Sequence, residues 1–132
     1  MAERNLAIVL SAFAAYERGD EQAMIAAASP EIVVTQFPDQ LDVRDFHGRD
    51  GLLEMMTGWL GTWEDWTLDV RSVASEGELV FVNAVQRGRG KGSGVPIESD
   101  VTFLFTFRDE EIVRWQIFHD EQEAREAAGS PP

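Results

Sequence analysis

The chain has 132 residues, 44% of them hydrophobic, with four Trp, one Tyr and eight Phe, no cysteine and a formal net charge of −13. This is one domain's worth of core, too apolar for a disordered chain. The acidic balance argues against nucleic acid as a partner, since phosphates need clustered Lys and Arg, and zero cysteines exclude a disulfide framework, a thiolate zinc site and a cysteine nucleophile. A cysteine-free chain also fits a reducing cytoplasm, the location we expect.

Leu6, Val9, Leu10, Phe13 and Tyr16 fall at helical spacing, and the preceding Glu3-Arg4 has no net positive charge. The segment therefore reads as a buried amphipathic helix rather than a signal peptide. No apolar run approaches the ~20 residues of a membrane span. Gly19-Asp20 ends this helix and caps a second over 21–28, which Ser29-Pro30 stops. Residues 31–37 are β-branched and strand-like, Pro38 closes them, and 42–46 form a weaker short strand. His47-Gly48-Arg49-Asp50 then opens a third helix running to about Leu60.

From Trp66 onward the pattern is β. Four strands are predicted at 67–75, 79–89, 97–107 and 112–119, turned by Glu76-Gly77, a glycine-rich loop and Asp109-Glu110. A terminal helix over 121–128 follows. The expectation is α+β: one domain over 1–128 with a flexible tail at 129–132, and helices packed on one face of a curved, mostly antiparallel sheet. Residues 79–85 are apolar on both faces, so a second sheet should cover the far side, which predicts a homodimer.

Strand alternation assigns the faces. Trp115, Ile117 and His119 share one side of the last strand, as do Val101, Phe103, Phe105 and Phe107 on its neighbour, and this side should meet the helices. His119 thus points inward as a candidate acid or base, whereas Asp120 faces the other way and suits a helix cap. Trp59, Trp63 and Trp66 cluster where the third helix gives way to the sheet, and suit either a flat apolar ligand or core packing. His47 reads as a solvent-side loop residue. Two histidines without a ligand-type spacing give no metal site, and no cofactor is implied. Gly88–Gly94 joins two strands, so it reads as a hairpin loop rather than a phosphate cradle, which would open a helix.

The order of helices and meander resembles the cone-shaped α+β fold of the nuclear transport factor 2-like (NTF2-like) superfamily over about residues 5–128. Thr35-Gln36-Phe37-Pro38 followed by His47-Gly48-Arg49-Asp50 resembles the limonene-epoxide hydrolase branch, as does Ile112-Val113-Arg114-Trp115 with Asp120 before a helix. The SnoaL-like polyketide cyclases share the layout. This resemblance implies a site inside the cone, yet it places Phe81, Asn83, Ile117, Val34 and Gln36 where the epoxide hydrolase carries its Arg, its two Asp, its Tyr and its Asn. Ketosteroid isomerase, a more distant relative, has its base at Gln36, an Asp donor near Phe103 and a Tyr near Ala12, leaving Tyr16 as a core or rim residue. The pocket implied is lined by Gln36, Asn83, Trp115, Ile117, Phe81, Val34, Phe103, Trp59 and Trp63.

Two functions follow from these residues. One is a cofactor-independent cyclase, isomerase or hydrolase acting on a small apolar oxygenated molecule, polyketide- or terpenoid-like, with His119 as acid/base and Gln36 and Asn83 orienting the substrate. SnoaL-type cyclases pair a His with an Asp for such proton transfer. The other is a non-catalytic domain that binds such a small apolar or aromatic ligand, having lost its relatives' carboxylates.

Overall fold

The computed structural model describes residues 2–37 and 45–129. Its elements are α1 (Ala2–Glu17), α2 (Glu21–Ala26), β1 (Ala28–Gln36), β2 (Asp45–His47), α3 (Gly48–Leu60), β3 (Trp63–Glu76), β4 (Leu79–Gly90), β5 (Pro96–Arg108), β6 (Glu111–Phe118) and α4 (Glu121–Gly129). The strands form one sheet in the order β2-β1-β6-β5-β4-β3. β1 and β6 run parallel and the other neighbours antiparallel. This is the α+β arrangement expected, with three helices before the meander and a fourth after it. No described helix is long and apolar enough to cross a membrane.

Several local sequence signals act as expected. Asp20 caps α2, its Oδ1 accepting from the Ala23 N–H at 3.1 Å. At the start of α3, Gly48 has φ +74, in the left-handed region that favours glycine. Arg49 then donates through Nε and Nη2 to the Ala28 carbonyl at 3.0 and 2.7 Å. His-Gly-Arg-Asp thus ties α3 to the first residue of β1. His47 is exposed and makes no side-chain cap.

Three expectations are corrected. α2 ends at Ala26, and Ser29-Pro30 lies inside β1 instead of stopping a helix. The β1–β6 register shifts between Ala28 and Val33, so Pro30 sits where no ladder N–H is required. β3 begins at Trp63, four residues early, because Asp65 adopts φ 56 and a bulge there lets Trp63 pair with Gly90. The early short strand is found at 45–47; its expected residues 42–44, Pro38 and the tail at 130–132 lie outside the described residues.

The sheet has two different faces. On the inner face Val80, Val82 and Ala84 of β4 and Val101, Phe103, Phe105 and Phe107 of β5 form the main core, with Val9 of α1 and Leu52 and Met55 of α3. On the outer face Phe81, Leu104 and Phe118 form a second cluster with Ala124 of α4. The far side of β4, which the sequence suggested a second sheet would cover, is therefore covered by the chain's own last helix. Polar contacts fix that helix in place. Asn83 Nδ2 donates to Glu121 Oε1 at 2.7 Å, and Arg125 donates to Glu121 at 2.6 Å and Glu76 at 2.7 Å. The Arg125 guanidinium also lies 4.3 Å above the Phe81 ring.

Glu121 gives the α4 contact a pH dependence. Its carboxyl is held below the ordinary glutamate value, chiefly by the hydrogen bond from Arg125 and next by that from Asn83. A depressed folded-state value contributes stability above the unfolded value, lost as pH falls through the folded one. Amide protection across 121–128, measured against the intrinsic exchange rate at each pH, should therefore fall ahead of that of the β4 and β5 amides as pH drops below the carboxylate range. Glu121→Gln should flatten this dependence, and an unchanged profile in that variant would contradict the assignment.

The β5–β6 turn carries strain. Asp109 and Glu110 have φ 52 and 68, a pair of left-handed residues without glycine. Replacing them by Asn-Gly should stabilise the protein by about 1 kcal/mol. The exposed Arg4–Glu110 pair lost in the exchange is worth less than about 1 kcal/mol. A urea midpoint that fails to rise would refute this reading.

Candidate functional site

A cavity of about 650 Å³ lies between the inner face of the sheet and helices α1 and α3. Phe13 and Tyr16 enter from α1, and Met55, Met56 and Trp59 from α3. The sheet supplies Phe103 and Phe105 from β5, and Ile112, Trp115 and Ile117 from β6. Ile112 and Trp115 differ by an odd number, so strict alternation would put them on opposite faces. A register shift between Thr106 and Phe107 supplies the extra residue that turns both inward.

The aromatic side chains interlock. Trp115 stacks on Phe105 at 5.6 Å and meets Phe103 edge-on at 5.3 Å. Phe13 packs against both phenylalanines at 6.2 Å. Tyr16 meets Trp66 edge-on at 5.9 Å. The exposed members of the wall, Glu17, Gly19, Thr67 and Val70, mark the mouth between the end of α1 and β3.

One buried polar group organises the wall between α3 and β3. Gln86, only 2% exposed, accepts from the indole N–H of Trp59 at 2.9 Å and of Trp66 at 3.0 Å through the same Oε1. Two donors on one atom settle the amide's orientation, since the NH₂ end cannot accept. Its Nε2 lies 3.4 Å from Ser99 Oγ. Trp115 carries a buried indole N–H with no acceptor. Tyr16 and Glu17 are the titratable groups of the described wall, with Glu17 at the mouth. Burial raises the Tyr16 phenol above its ordinary value, so it remains a neutral donor. Among the described residues no group of three or more His, Cys, Asp or Glu comes together in a metal-binding arrangement.

Of the predicted pocket residues, the structure brings Trp59, Phe103, Trp115 and Ile117 to the wall. Val34 is wholly buried in the core, and Gln36 stands on the same face of β1, beyond the lining residues. Trp63 packs behind Trp59 at 5.7 Å, over Gly88. A Cβ on Gly88 would come within 2.7 Å of the Trp63 ring, so this first residue of the glycine-rich stretch seats an indole. Asn83 and Phe81 are corrected outright. They occupy the outer face under α4, where Asn83 also accepts from Thr102 at 2.7 Å and donates to Ser72 at 3.0 Å. β4 is apolar on both sides, and the family resemblance carried these two residues to the wrong one.

His119 is corrected as well. β6 ends at Phe118, so the alternation that turned His119 inward stops before it. The ring is exposed and stacked 4.4 Å from Phe37, and it is not part of the cavity wall. Its backbone N–H donates to Glu123 Oε1 at 3.1 Å, while Asp120 Oδ1 accepts from the Glu123 N–H at 2.9 Å. His119-Asp120 is thus the reciprocal cap of α4, the role expected for Asp120.

Gln86 is absent from the residues that the sequence singles out, and Tyr16, expected as a core or rim residue, lines the wall, where Trp66 of the expected tryptophan cluster also stands. A signal for Gln86 exists: counted in register with Val80, Val82 and Ala84, it is the polar residue of an otherwise apolar inner face.

The fold and the wall together can be compared with known proteins. The family model of the SnoaL-like domain matches residues 9–115, and the chain belongs to that family. Among curated proteins none matches. Solved structures share the NTF2-like fold. A candidate SnoaL-like polyketide cyclase from Jannaschia sp. CCS1 is 20% identical, with a TM-score of 0.80 and 99% and 95% of the two chains covered. A candidate hydroxylase, AclR, from Streptomyces galilaeus is 20% identical, with a TM-score of 0.72 and both chains covered in full. TerC, co-crystallized with polyporic acid, is 16% identical, with a TM-score of 0.74 and 93% and 96% covered.

Gln86→Leu should destabilise the protein by about 1–3 kcal/mol, because it removes the shared acceptor of two partly buried indole donors. Denaturant unfolding measures the loss. A cost under about 1 kcal/mol would mean that the two indoles find other acceptors.

Proposed function

We propose that this chain binds a small, largely apolar, ring-bearing molecule in the α1–α3–sheet cavity and supplies no acid–base pair for its conversion. The observation that carries this reading is the composition of the wall. It is mostly aromatic and aliphatic, the amide of Gln86 is already engaged by two indoles, and among the described residues its one carboxylate, Glu17, stands at the solvent-exposed mouth. A cavity of about 650 Å³ falls within the range of small-molecule sites. Met24, Met55 and Met56 give part of the wall side chains that re-pack around different outlines. Support also comes from TerC, which was co-crystallized with polyporic acid, and from neighbours described as a candidate polyketide cyclase and a candidate hydroxylase. An acid–base role for His119 would require it to reach the ligand, and no wall contact of this residue favours that reading.

Naphthalene serves as a minimal ring-bearing probe. Trp59, Trp66 and Trp115 line the cavity, so its binding should alter tryptophan emission saturably. Met56→Trp, which fills the space from α3, should weaken binding at least about tenfold, a change of ~1.4 kcal/mol. Quenching that rises linearly without saturation would remove the proposal. Because burial keeps the Tyr16 phenol protonated beyond its ordinary value, affinity should hold constant up to about pH 10.

A further inference from the structure

The hydrogen-bonding capacity of the wall is unbalanced, and the imbalance specifies a ligand chemistry. A glutamine side chain has two acceptor lone pairs on its oxygen and two N–H donors. In Gln86 both lone pairs are taken, by the indoles of Trp59 at 2.9 Å and Trp66 at 3.0 Å. One N–H is directed to Ser99 Oγ at 3.4 Å. What the amide has left to offer the cavity is one N–H. The same indole bonds consume the donors of Trp59 and Trp66, so neither competes for a ligand. Trp115, also on the wall, adds a buried N–H that meets no acceptor. This part of the wall therefore holds surplus donors and no free acceptor among these groups.

From this we infer that the cavity selects ligands whose polar group is an aprotic acceptor, a ketone, quinone or ester carbonyl, received by the Nε2 N–H of Gln86. A phenol or alcohol is disfavoured at this position, since its own proton would find both lone pairs of the amide oxygen already occupied and would be buried unpaired. The two tryptophans act here as positioning residues: by holding Oε1 they prevent the amide from flipping and presenting its oxygen. The inference rests on the proposed binding function and adds to it the chemical class of the ligand.

A shape-matched pair of probes tests it, 2-acetylnaphthalene and 2-isopropenylnaphthalene, in which a C=CH₂ replaces the C=O. The ratio of their dissociation constants is compared between the wild-type protein and Gln86→Met. One hydrogen bond predicts that the ratio moves about three- to tenfold against the ketone in the variant. A ratio unchanged in a variant that still binds both probes overturns the inference and leaves the binding function standing. Failure of the wild-type protein to bind either probe overturns both.

Should Gln86→Met not fold, the carbonyl stretch of bound 2-acetylnaphthalene gives a second measurement on the intact site. In Tyr16→Phe/Trp115→Phe protein, which removes the phenol and the unpaired indole N–H and leaves Gln86 as donor, the band should lie below its position in hydrocarbon solvent. A band at the hydrocarbon position in that protein sinks the assignment to Gln86. 2-Naphthol should bind more weakly than the ketone, and tighter binding of the naphthol contradicts the donor-only reading.

Discussion

Three segments of the chain meet at one atom. Oε1 of Gln86, on β4, accepts from Trp59 near the end of α3 and from Trp66 near the start of β3. Without such an acceptor, two partly buried indole N–H groups would be left unpaired beside an apolar space, at a cost of up to about 1–3 kcal/mol each. With it, α3 is held over the sheet, and the α3–β3 connection closes one side of the cavity. The helix above, the strand beside and the sheet below thus owe their relative placement to one amide. Low dielectric strengthens these bonds and makes their loss costly, so a single side chain governs the shape of the space around it.

The rest of the fold follows from a sheet that is apolar on both sides. β4 buries Val80, Val82 and Ala84 inward and Phe81 outward. An inner layer of α1, α2 and α3 and an outer layer of α4 satisfy the two faces in different ways. The inner layer stands off far enough to leave a cavity, whereas α4, with Ala124 at its contact, lies close on the sheet. Bulges in β3 and β6 bend the inner face around the space and turn Ile112 inward beside Trp115. The outer face ahead of α4 carries ion pairs between β3, β4 and β5, with Arg87 reaching both Asp69 and Glu98.

The fold was legible because its largest signals are local. Helical spacing in α1, the cap at Asp20, the left-handed glycine before α3 and the alternation of Phe103, Phe105, Trp115 and Ile117 are written in single stretches of sequence. The site was legible only where alternation is clean. In β4 phenylalanine and valine alternate, both belong in a core, and residue type cannot say which of Phe81 and Val82 faces the helices. The family resemblance therefore carried Phe81 and Asn83 to the inner face, and Gln86, three positions on, drew no expectation. His119 failed for a different reason. Alternation was carried one residue beyond the strand, into a segment whose conformation is set by the hydrogen bonds that start α4. Bulges defeat the same counting, since the residue that Asp65 contributes to β3 leaves no mark in composition or hydropathy.

The position of α4 after the last strand has a consequence for the order in which the protein is made. Phe81 and Leu104 leave the ribosome well before Ala124, so the outer face of the sheet stays bare while the meander assembles. A nascent chain in that interval exposes β-rich apolar surface, the kind that pairs with its neighbours on a polysome. A net charge of −13 opposes such pairing, because like-charged sibling chains repel one another.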